Sequence, residues 1–184
     1  MQLVVTCAGV YLALVLDHRT FKSRKTVDAA EKEANLDRLR RELCHDVLLN
    51  CRALFANAKE VFRPDEDVAK PLEAAREMVR WVDAGIWPVR RGPYLSMEPS
   101  SWLARALEKF YDELDRVVTQ VRTLVTRSES GTVTKKELQA AYTDPLMLLL
   151  QGEVILERMG PARDSAEAAT WRKFIVDLGN ADIV

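Results

Sequence analysis

The sequence predicts an all-α protein, in which an N-terminal transmembrane helix continues into a long stalk helix and then a cytoplasmic helical bundle of about five further helices. Three observations carry that expectation. Only seven glycines and seven prolines punctuate 184 residues, so long stretches are free to be helical. Apolar side chains recur every three or four residues, and no run alternates with the period of two that a half-buried strand needs. Sixteen uncharged residues open the chain, and a cluster of cations follows them.

Residues 1–25 read as a membrane anchor with a basic juxtamembrane segment, and residues 26–184 as a helical bundle domain. The stretch LVVTCAGVYLALVL runs from Leu3 through Val10 and Tyr11 to Leu16. It is apolar on every side except at Thr6, whose hydroxyl can bond back along its own helix. As a helix the uncharged run spans roughly 24 Å, against a hydrocarbon core of roughly 30 Å. Local thinning, snorkelling of long basic side chains or association of several copies absorbs such shortness. Arg19, Lys22, Arg24 and Lys25 then stand against the single acid Asp17. Cations on that flank hold it in the cytoplasm, which places the N-terminus outside the plasma (inner) membrane and the bulk of the chain inside. A cleavable signal has its basic region before the apolar run and small residues after it; here the cations come after, so the run is expected to be retained. Gly9 and Ala13 form a small-xxx-small pair through which anchors of several copies could approach. The competing expectation is a soluble module whose first helix is buried in its own core.

Residues 26–62 read as one helix of roughly 50 Å. Leu36, Leu39, Leu43, Val47, Cys51, Leu54, Ala58 and Val61 form its single apolar stripe, and Arg63-Pro64 closes it. The acids Asp65, Glu66 and Asp67 suit a helix start, and Leu72, Ala75, Met78, Val79 and Val82 continue that helix to Gly85. Pro88, Gly92, Pro93 and Pro99 then predict a loop of about fourteen residues, a length that is commonly functional. Ser100 or Ser101 caps the clearest periodic segment, with Leu103, Leu107, Phe110, Leu114, Val117, Val121 and Leu124 in alternating steps of four and three. Thr134 and Glu137 make a capping box for a short helix. Asp144-Pro145 opens the apolar stretch PLMLLLQGEVILERMG, read as the central buried helix because Gln151, Gly152 and Glu153 interrupt it. Asp164 and Glu167 open a last helix carrying Trp171, Phe174, Ile175 and Leu178, stopped at Gly179-Asn180.

Composition narrows the function classes. A formal net charge of -1 gives no global electrostatic basis for nucleic-acid binding. Cys7, Cys44 and Cys51 are odd in number, and the last two lie roughly 10 Å apart along one helix, beyond disulfide reach; a reducing compartment follows. Neither histidine falls in a zinc-binding spacing, so no metal and no cofactor are expected. Glycine-rich phosphate cradles, nucleophile elbows and metalloprotease helices are missing from the sequence.

Three groups of residues have chemical potential. In RRELCHD, Arg40 and His45 are spaced Arg-x4-His; a histidine titrates near neutrality and a guanidinium grips phosphate through a fork of donors. The bland reading is a solvated helix face shared with Glu42 and Asp46. The carboxylates Glu108, Asp112 and Asp115, the pair Glu153 and Glu157, and the pair Glu73 and Glu77 each share a helix face. They lack the Glu-x-x-His that helical metal sites add, and cations interleave them; Glu153, between Leu149 and Leu156, needs a partner if buried. Within the expected loop, Trp87, Arg90, Arg91 and Tyr94 gather side chains enriched at binding surfaces, with core-edge packing of the rings as the alternative.

The Arg40-to-His45 spacing resembles the HEPN signature of helical ribonucleases, although Arg41 replaces the polar residue preferred after the arginine. In layout the chain resembles the small, single-anchor helical accessory proteins of RNA-targeting CRISPR and related bacterial defence systems. That resemblance covers the layout and Arg40 to His45 only, and implies a membrane-perturbing antiviral role. The expected function is therefore a membrane-anchored helical protein acting by homo-oligomeric assembly or protein interaction, with membrane lipid and copies of itself as partners. The alternatives are a HEPN-type ribonuclease tethered to the membrane, with RNA as substrate, and the soluble interaction module.

Overall fold

The computed structural model describes residues 2–63, 68–82, 86–98, 101–131, 133–159 and 165–180; the side chains of 2–24, 86, 130, 165–168, 179 and 180 lie outside the description. Among the described residues the chain forms seven helices and no strand: α1 (Gln2–Val61), α2 (Ala69–Trp81), α3 (Ile86–Met97), α4 (Trp102–Ser130), α5 (Lys135–Ala141), α6 (Thr143–Met159) and α7 (Ser165–Asn180). The all-α expectation holds. Six helices follow α1 where about five were expected, and the extra one is α3, which replaces the predicted loop.

The chain divides into two compact units, Met1–Arg38 and Leu39–Val184. In the first, residues 25–34 are exposed on every side. The side chains of the predicted anchor, from Leu3 to Arg24, lie outside the described residues, and Lys25 is exposed. No helix among the described residues is long and apolar enough to cross a membrane.

The second unit is a helical bundle centred on α4. Ser101, in extended conformation, caps it by accepting a hydrogen bond from the Ala104 amide at 2.9 Å. Leu107, Phe110, Leu114, Val117 and Val121 are fully buried, so the heptad read from the sequence is the seam along which the bundle closes. α4 packs against α2, α3, α5 and α6, and α7 packs on α6. The stripe of α1 from Leu39 through Leu43, Val47, Cys51, Leu54 and Ala58 to Val61 is likewise buried. α5 begins with the predicted capping box, in which Thr134 and Glu137 exchange side-chain and backbone bonds.

Gly152 sets the spacing at the centre. A methyl group there would overlap the Cys51 Sγ and stand 3.3 Å from Phe110 Cε2, so α6 approaches α1 and α4 more closely than any larger residue permits. Burial pushes the Cys51 thiol well above its ordinary range, which makes it a packing group and not a nucleophile. Glu153, next in the chain, is 4 % exposed and is paired with Arg172 of α7. Phe55 of α1 meets α7 as well, edge-on to Phe174 at 5.3 Å.

Candidate functional site

The residues predicted to form an interaction loop are on a helix, whose rings turn inward while Arg90 is half-buried and Arg91 exposed. Pro88 falls in the first turn of α3, where no amide donor is needed, and Pro93 lies inside the helix, removing a single bond. Trp87 is 4 % exposed and Tyr94 fully buried. The Trp87 ring stacks on Tyr111 of α4, 5.3 Å between centroids and 4° from parallel. Arg90 pairs with Glu42 of α1 at 2.9 Å, and Arg91 with Glu108 of α4. The group therefore clasps α3 to α1 and α4, and the packing alternative for its rings is the one observed.

Arg40 belongs to the same clasp. Its guanidinium donates to Glu98 at 2.6 Å, and the Tyr94 hydroxyl donates to the other Glu98 oxygen at 2.6 Å. Burial, reinforced by that carboxylate, pushes the Tyr94 phenol up to about 12, so it stays a donor throughout the physiological range. Asp46 accepts a second phenolic bond, from Tyr111 at 2.6 Å, and one from Asn50 at 3.1 Å. His45 is exposed. It lies five positions after Arg40, about 140° around the helix axis, so the two side chains leave α1 in different directions.

Four of the seven predicted carboxylates are tied to cations in the same way: Glu77 to Arg80 at 3.6 Å, Glu157 to Arg172 at 3.5 Å, and Glu108 and Glu153 as above. Among the described residues no cluster of three or more His, Cys, Asp or Glu side chains is arranged to hold a metal ion.

An open, largely apolar feature of the bundle lies elsewhere, between α4 and α6. Arg158 stands over the Trp102 ring, 5.5 Å from its centroid, and Arg116 pairs with Asp144 at 3.1 Å. Those two contacts fix the helices as antiparallel, start of α4 beside end of α6. Between them runs a groove of about 480 Å³. Trp102, Arg105, Ala106 and Lys109 form one wall; Met147, Leu150, Gln151 and Val154 form the other, over Ile155. Trp102, Met147 and Val154 are 47 %, 54 % and 44 % exposed, large apolar side chains held side by side in water. Arg105 and Lys109 are exposed, and no lining residue is acidic.

The sequence reading missed this groove. In the sequence α6 reads as the central buried helix, apolar on most sides, whereas Met147, Leu150, Gln151 and Val154 recur at helical spacing on its outer face. The signal was present in that spacing, and in a tryptophan at position 102, one residue before the heptad begins.

No known protein family, curated protein or solved structure is significantly similar to this chain.

Proposed function

We propose that this protein is a membrane-tethered helical module that works by assembling with other protein chains, copies of itself first among them. The apolar run of residues 3–16 with its cation cluster supplies the tether, N-terminus outside and bundle in the cytoplasm. The α4–α6 groove supplies the contact surface, and it is the observation that carries the reading. The other side chains of chemical promise, Arg40, Arg90, Arg91 and Glu153, are each engaged in an ion pair within the chain. A two-walled apolar groove with exposed Trp and Met side chains suits recognition of a helix laid along it.

The test is fractionation followed by sizing. The full chain is expected to stay with membranes through alkaline carbonate, to be released by detergent, and to run in detergent as a particle of several copies. Release by carbonate alone would sink the tether, and a single-copy particle would sink the assembly.

A further inference from the structure

We propose that the α4–α6 groove of one copy receives the acidic stretch of α1, residues 27–37, of a second copy. The proposal rests on the assembly reading and names the surfaces through which it is made.

The groove defines what fits it. Its walls are rows of side chains spaced like helical turns, 102 to 109 on α4 and 147 to 154 on α6, each about 10 Å long. An occupant therefore needs a narrow apolar spine over the same two turns. Arg105 and Lys109 on the α4 side, with no acid in the lining, call for carboxylates beside that spine.

Residues 27–37 have that form. Val27, Ala30 and Ala34 are spaced by three and four, and so share one face over two turns. Val27 is 60 % exposed, and alanines at the other two positions let the helix backbone settle into a shallow groove. Glu31 lies about 65° to one side of that spine and Asp37 about 55° to the other. Residues 25–34 are exposed on every side within their own chain. An α-helix in water draws most of its stability from packing one face, and here a second copy provides the packing.

The experiment uses the full chain in detergent. A one-to-one mixture of unlabelled and 15N-labelled protein is treated with a carbodiimide, which joins lysine to carboxylate without a spacer, and the products are read by mass spectrometry. Lys109 is expected joined to Glu31 or Asp37 in peptides of mixed isotope. The variant R105E/K109E, altered at exposed positions, is expected to self-associate at least tenfold more weakly at low salt, and adding E31K/D37K to it is expected to restore association. Coupling of Lys109 within single chains only, or unchanged self-association of R105E/K109E, would overturn the groove assignment while leaving the assembly reading intact. A wild-type chain that is monomeric would overturn both.

Discussion

Gly152 is the position at which one methyl group decides the packing. Inserting Cβ forces either Cys51 or the α6 backbone to move, and overpacking of this kind costs about 1–3 kcal/mol. Alanine's better helix propensity returns about 1 kcal/mol. G152A is therefore expected to lower stability by up to about 2 kcal/mol, read as a fall in Tm of about 2–4 °C per kcal/mol. In a C51A background the obstructing sulfur is gone, and the same change is expected to be neutral or stabilising. Equal destabilisation in both backgrounds would show that the close approach of α6 to α1 is not the reason for the glycine. In the sequence Gly152 reads as an interruption of an apolar run, because the atoms it makes room for belong to residues far along the chain. Glu153 divides the same way: its apolar neighbours predict that it needs a partner, and only the fold identifies Arg172 of α7.

Elements with a strong local period were legible, and elements held by distant partners were not. α4 carries its seam as a heptad and its start as a serine pair, Ser100 or Ser101, both visible without any neighbour; the structure uses Ser101. The Ser101 cap is expected to matter beyond its own turn, because the first residues of α4 carry Trp102, one wall of the groove. S101A is expected to cost about 1 kcal/mol, with a lower urea midpoint at unchanged m, and S101D to recover it, since an aspartate accepts the same amide bond. A midpoint unmoved by S101A would mean that the turn is held by α6 alone. α3 is the opposite case. Two prolines and a glycine in twelve residues give it poor local propensity, and Gly92 has open space where its side chain would be, so it is there for no steric reason in this fold. What holds α3 helical is the clasp of Trp87, Arg90, Arg91, Tyr94 and Glu98 onto α1 and α4, and partners more than 40 residues upstream on α1 or about 20 downstream on α4 cannot be read from a local window. The groove escaped sequence reading for the same reason: it exists only once α4 and α6 lie antiparallel.

For the whole molecule, the proposed assembly assigns folding and association to different stretches of the chain. Among the described residues of the first unit, none from 25 to 38 is buried, and the buried stripe begins at Leu39. A fragment of residues 39–184 therefore keeps every described core side chain. It is expected to melt in one cooperative transition within about 4 °C of the full chain, the shift that about 1 kcal/mol produces in a domain of this size. It is also expected to need no detergent, having lost the apolar run, and to be monomeric at concentrations where the full chain associates, having lost the stretch proposed to fill a neighbour's groove. Calorimetry and sedimentation separate these expectations. A low or broad melt would mean that the first 38 residues help to hold the bundle together. A fragment that melts normally but still self-associates would move the interface onto the bundle's own surface, groove against groove. Only a stable monomer fits the proposal that the exposed segment of one copy is covered by the groove of another.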